Sequence, residues 1–196
     1  MRPYYSNTGL AFVEVVPLEA MRTGMKIQYV AVVAAAVSMM TACGTPPSAE
    51  EVCGSNNLFN FDIRNEPLGS GSRLKTEISK AAAAKTPTTL GDIARDAGWS
   101  DNWDRMITVY SDPDIHELNK AAQIDLPEIC WQGLPHRTSS DGPSPGYYLF
   151  LSNGRRIQAV DWDTLTQPPL NPRFLPSLTP LSALVVDERG ELVPAG

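Results

Sequence analysis

The sequence predicts an α+β fold: a small, mostly antiparallel sheet with two or three short helices on one face, after an N-terminal signal segment. Three observations lead to this expectation. Segments with helical spacing of apolar residues follow an apolar leader, strand patterns with turn dipeptides come later, and a proline-rich segment lies near the C-terminus. With 42% hydrophobic and 19% charged residues, the chain can bury a packed core.

Two helices are predicted at the start of the folded part. In the first segment, RLKTEISKAAAAK, Leu74 and Ile78 recur at helical spacing among alanines of high helix propensity, and Pro87 ends the pattern. The second segment is TTLGDIARDAGW. Thr89 stands three residues before Asp92, which resembles a capping box with Asp in place of the usual Glu.

A strand and a third helix are predicted next. The segment DRMITVYS alternates, with Ile107 and Val109 on one face of a strand. In the following segment, DPDIHELNKAA, Asp112 suits the N-cap and Pro113 the first helical position.

The strongest local signal is YYLFLSNGRRIQAVDW. Two strand-like runs flank Asn153-Gly154, the favoured type I′ hairpin turn. Residues 147–151 are apolar on both faces, which predicts a central strand covered on two sides. Residues 167–180 hold five prolines and are expected to form an extended strap over the domain. A second hairpin with Gly190 in its turn is predicted at the C-terminus.

An apolar run precedes the folded part. Residues 27–42 are about 16 residues long, shorter than the ~20 that a membrane-spanning helix needs. Lys26 supplies a positive start and Ala42 a small residue before a cleavage point, so residues 25–42 are predicted to be a signal peptide. Residues 1–24 carry Glu14 and Glu19, which do not suit a signal start. We therefore treat them as a doubtful extension and expect translation to begin at Met21 or Met25.

The end of this run, Met40-Thr41-Ala42-Cys43, resembles the lipobox of bacterial lipoproteins. The resemblance implies that the thiol of Cys43 carries a diacylglyceryl group and that the signal peptide is removed just before it. It also implies a cell-envelope protein held at the cell membrane, on the extracytoplasmic side. Residues 43–54 then form a flexible tether, and residues 55–196 a single domain. An ordinary buried cysteine and an unlipidated secreted protein are the alternatives.

Two further cysteines, Cys53 and Cys130, remain for the folded part. An oxidising compartment favours a disulfide between them, and it would close a loop of about 78 residues. Two free buried thiols are the alternative reading.

Several function classes lack support in the sequence. The formal net charge is -6 and no basic tract occurs, so we expect no nucleic-acid partner and no electrostatic docking on anionic lipid. His116 and His136 lie outside any zinc-ligand spacing and are expected to be structural or merely exposed. The sequence predicts no catalytic residues, no metal and no cofactor.

Acidic residues near tryptophans suggest a second function. Asp161 and Asp163 flank Trp162 and would share one face of a strand, where two carboxylates can act as acid and base. Asp101 and Asp104 lie beside Trp99 and Trp103 in a composition typical of glycan-binding sites. Solvent-exposed carboxylates and core tryptophans are the plainer interpretation.

The main expectation is a non-enzymatic binding or scaffolding domain, anchored through lipid on Cys43, with an unknown partner in the envelope. One alternative is an envelope glycan hydrolase that uses the Asp/Trp clusters. Another is a carrier of an apolar small molecule, with Tyr148, Phe150 and Trp162 lining its cavity. The segments WDR, SDPD and LFLSNGR are loosely similar to small envelope lipoproteins of bacteria, a resemblance that implies no activity.

Overall fold

The computed structural model describes residues 46–171 and 177–195. The signal peptide, Cys43 and the doubtful extension lie outside these residues. The helices of the described part are α1 (Ala49–Cys53), α2 (Gly71–Ala84), α3 (Leu90–Asp96), α4 (Ile115–Ala122) and a 3₁₀ helix (Glu128–Cys130). Its strands are β1 (Phe59–Asn60), β2 (Thr88–Thr89), β3 (Arg105–Val109), β4 (Trp131–Gln132), β5 (Pro145–Ser152), β6 (Arg155–Asp163), β7 (Ala183–Val186) and β8 (Leu192–Pro194).

The strands form three small sheets. The main sheet has the order β3-β5-β6 and is antiparallel throughout. A second antiparallel sheet has the order β2-β7-β8, and the two-residue strands β1 and β4 pair in parallel. The α+β class with short helices and mostly antiparallel strands is therefore as predicted. The strands are divided among three sheets, where we expected one.

The β5–β6 hairpin positions the centre of the domain. Asn153 and Gly154 both adopt positive φ, 51° and 73°, as a type I′ turn requires. On β5, Tyr148 and Phe150 are completely buried on one face and Leu149 on the other. The prediction of a central strand covered on both faces is confirmed.

The two faces of the main sheet carry separate core layers. Helices α2 and α3 pack with Met106, Phe150 and Val160 on one face. On the other face, α4 packs with Ile107 and Val109. Two helices share one face, as predicted, and α4 additionally covers the other face. Because β3 and β5 are apolar on both sides, each face of this sheet has to be covered.

Helix starts agree with the sequence signals in one of two cases. At α3, the Thr89 hydroxyl accepts a hydrogen bond from the backbone N–H of Asp92, as predicted. At α4, the N-cap is Asp114 and not Asp112, because the carboxylate of Asp114 lies 3.1 Å from the N–H of Glu117. Asp112 lies before the helix with φ 54°. This positive φ is not the extended backbone of an N-cap, and the carboxylate of Asp112 is hydrogen-bonded to His136 and not to a helix amide.

The β3 edge of the main sheet is covered, and β6 holds the segment before α2 through a buried side chain. At the β3 edge, Met106 and Leu178 exchange backbone hydrogen bonds of 2.7 and 2.8 Å, which brings the end of the strap alongside the strand. On β6, the buried Gln158 side chain accepts from the N–H of Leu68 and donates to the carbonyl of Gly69. The bonds between Met106 and Leu178 occupy backbone groups of β3 that would otherwise invite another strand.

The N-terminal segment is fixed to the domain by a disulfide. Cys53, at the end of α1, is bonded to Cys130, with a Cα–Cα distance of 5.7 Å. Ser48 and Glu51 form a complete capping box at the start of α1. The last residues of the predicted tether are thus helical, because this cap and the disulfide hold both ends of a single turn.

Candidate functional site

The proposed ligand-lining residues lie in the core. Tyr148 and Phe150 are completely buried, and the Phe150 ring lies 4.8 Å from that of Trp99 and 5.1 Å from that of Trp103. Burial raises the pKa of Tyr148, whose protonated hydroxyl donates to the carbonyl of Leu170. These rings fill the space between sheet and helices. Their positions give no support to an apolar carrier cavity.

The four tryptophans are also core residues, each no more than 5% exposed. The indole N–H of Trp99 donates to the carbonyl of Ser70, and that of Trp131 to the side-chain oxygen of Asn119. Because their faces are covered by neighbouring side chains, they offer no open platform for stacking a sugar.

Asp161 and Asp163 do line a surface pocket of about 250 Å³, together with Trp162. Asp163, however, caps the turn after β6, where it accepts the N–H groups of Leu165 and Thr166, both at 2.8 Å. These hydrogen bonds hold the pKa of Asp163 below its usual value. A glycan hydrolase needs one carboxyl group with a raised pKa to donate a proton, and Asp163 has the opposite environment.

Asp161 is held between two cations. Its carboxylate accepts from the guanidinium of Arg64 at 3.0 Å and lies 3.5 Å from the ammonium of Lys75. Lys75 also donates to the Asp161 carbonyl at 3.1 Å. We call these three residues the ion cluster. Arg64 comes from the chain before α2, Lys75 from α2 and Asp161 from β6.

The ion cluster separates two adjoining surface pockets and lines both of them. On one side, the guanidinium of Arg64 lies 5.7 Å from the ring centroid of Tyr147. On the other side, the second pocket, of about 220 Å³, reaches Glu66 and the start of α2. Donors, acceptors and an aromatic ring at one surface can bind a small polar group. Of these residues, only Asp161 was predicted from the sequence, because Arg64 is 97 residues away and no local pattern marks it.

In the other carboxylate pair, Asp101 and Asp104, one of the two residues has a structural role. Asp104 accepts the backbone N–H of Asn153 and thereby holds the β5–β6 turn. Asp101 is exposed. The buried rings of Trp99 and Trp103 face the core and not these acids.

The histidines are at the surface. His136 shares a hydrogen bond of 3.0 Å with Asp112, which lowers the pKa of that carboxyl group. His116 lies on the exposed side of α4. Within the described residues, no group of three or more His, Cys, Asp or Glu side chains is placed to hold a metal ion.

Comparisons of the chain with protein-family models, curated proteins and solved structures find no significant match. In the two described ranges, none of the helices has the length and apolar character required to cross a membrane.

Proposed function

We propose that this chain is a lipid-anchored protein of the cell envelope, held at the extracytoplasmic side of the membrane through Cys43, and that its domain binds or scaffolds a partner. The observation that carries the proposal is the order of residues before Cys43. A basic residue, an apolar run too short to span a bilayer and the lipobox-like Met40-Thr41-Ala42 follow one another there.

The disulfide supports an exported location. Cys53 and Cys130 lie 77 positions apart in the chain and are bonded in the folded domain. Structural disulfides persist in oxidising compartments and are rare where thiols are kept reduced. With these two cysteines paired, Cys43 is the one remaining thiol among the three cysteines of the chain.

The surface chemistry favours binding over catalysis. Of the carboxylates that could act as acid and base, Asp163 holds a turn and Asp161 neutralises two cations. The ion cluster and Tyr147 instead provide hydrogen-bonding groups beside a ring at an accessible surface. Such a surface suits recognition of a polar partner.

Metabolic labelling with a fatty acid in a bacterial host tests the anchor. The parent chain should incorporate the label and sediment with membranes, whereas Cys43→Ser should lose the label and become soluble or remain as the unprocessed precursor. The matched control is the double variant Cys53→Ser/Cys130→Ser, which retains Cys43 and should keep the label. An unlabelled parent chain, or a labelled Cys43→Ser variant, contradicts the proposal.

A further inference from the structure

Two apolar side chains are exposed beside the disulfide. Val52 precedes Cys53 and is 45% exposed, and Ile129 precedes Cys130 and is 44% exposed. The Cα atoms of the cysteines are 5.7 Å apart. Since consecutive Cα atoms are separated by 3.8 Å, those of Val52 and Ile129 are no more than about 13 Å apart. The exposed Pro127 directly precedes the 3₁₀ helix that contains Ile129. We call Val52, Pro127 and Ile129 the disulfide patch.

The chain between Cys43 and the disulfide is short. Six steps of extended chain lead from Cys43 to Ala49, and α1 then adds four helical steps to Cys53. At ~3.5 Å per extended residue and 1.5 Å per helical residue, the greatest reach is about 27 Å. A compact domain of about 150 residues has a diameter of about 38 Å, from its expected radius of gyration. The end of the domain opposite the disulfide therefore cannot reach a surface to which Cys43 is fixed.

From this geometry we propose that the disulfide patch rests on the surface of the lipid bilayer, so that the domain is held with this end toward the membrane. The inference depends on the proposed lipidation of Cys43. The occupant is lipid because the anchor brings this patch within reach of the bilayer and keeps the far end away from it.

The charges around the patch specify the kind of lipid. Glu50, Glu51 and Glu128 are exposed on the same two elements, and the carboxylate of Glu51 is already hydrogen-bonded to the N–H of Ser48. Acidic groups are repelled by anionic headgroups. The patch therefore fits a zwitterionic lipid surface, into which Val52 and Ile129 place their apolar atoms.

Tryptophan quenching by brominated lipid provides the test. The four native tryptophans are buried, so they give a background that the lipid does not reach. The lipidated full chain, purified from membranes, is reconstituted in phosphatidylcholine vesicles brominated in the upper acyl chain. The test variant is Ile129→Trp, and Val52→Trp repeats the measurement on the other element. The control is Leu181→Trp. Leu181 is 86% exposed and follows Pro180, whose carbonyl accepts from Gly91 of α3. Helix α3 belongs to one core layer, whereas Trp131, next to Cys130, belongs to the other.

The emission added by Ile129→Trp and by Val52→Trp should lose more than half its intensity on brominated vesicles, and that of Leu181→Trp should not change. Anionic lipid mixed into the vesicles should weaken the quenching. If the protein floats with the vesicles but the added emission is unquenched, or is quenched equally at Leu181, the patch proposal is wrong and the anchor stands. If the parent chain does not float with the vesicles, the anchor fails and this inference fails with it.

Discussion

Replacement of Gln158 by leucine should destabilise the domain strongly. Gln158 lies on β6, and its side chain is completely buried against the segment before α2. Its amide oxygen accepts from the N–H of Leu68 at 2.9 Å, and its amide nitrogen donates to the carbonyl of Gly69 at 2.8 Å. Leucine fills a similar volume but can form neither bond, so Gln158→Leu leaves one donor and one acceptor without a partner.

The expected loss follows from these two groups. An unsatisfied buried backbone group costs about 1–3 kcal/mol, so two of them suggest a decrease in the free energy of unfolding of about 2–4 kcal/mol. The carbonyl of Gly69 belongs to a half-buried residue, where water can compensate in part, and this sets the estimate below the sum of two full penalties.

Equilibrium unfolding in urea, followed by tryptophan emission, measures this change because the native indoles are buried. The matched control is Gln132→Leu. Gln132 is only half-buried, and its side-chain contact with Asn60 is long, at 3.5 Å. We expect this variant to lose less than about 1 kcal/mol. If Gln158→Leu unfolds at the same urea concentration as the parent, the assignment of a bridging role to Gln158 is wrong.

Three other changes have clear expected outcomes. The double variant Cys53→Ser/Cys130→Ser should lose about 2–4 kcal/mol of unfolding free energy, measured by the same denaturation, because it opens a long loop in the unfolded chain. Gly146→Ala should lower the melting temperature, since an added Cβ would overlap the ring of Trp162. The pKa of Asp163 is lowered in the folded state. The ionised carboxylate therefore contributes to the free energy of unfolding at pH values above the ordinary pKa of 3.8, and this contribution is lost as the pH falls through the lowered pKa. Asp163→Ala should therefore make the melting temperature depend less on pH in that acidic range.

Local signals were sufficient for most helices and strands. The type I′ turn at Asn153-Gly154 depends on two adjacent residues, and the start of α3 depends on a hydroxyl three residues before an amide. Such interactions depend only on a few consecutive residues. The continuous apolar run of residues 147–151 also identified β5 as the central strand of the main sheet.

Long-range contacts could not be predicted in the same way. The strands β1 and β4 have two residues each, too few for any periodicity, and they pair distant segments of the chain beside the disulfide and the Phe59–Trp131 ring contact. In the sequence, Gln158 looks like an ordinary residue of an alternating strand. Its hydrogen-bond partners lie 89 and 90 positions away, so no local pattern indicates them. The ion cluster was missed for the same reason.

The disulfide links the anchor to the orientation of the domain, and this gives a final prediction. Without it, the first fixed residue after Cys43 is Phe59, whose ring lies 4.4 Å from that of Trp131. The extended reach then rises from about 27 Å to about 55 Å, which exceeds the expected domain diameter of about 38 Å. In Cys53→Ser/Cys130→Ser, the added emission of Ile129→Trp and of Leu181→Trp should therefore become equally sensitive to brominated lipid. A persistent difference between the two positions would mean that contacts other than the disulfide orient the domain.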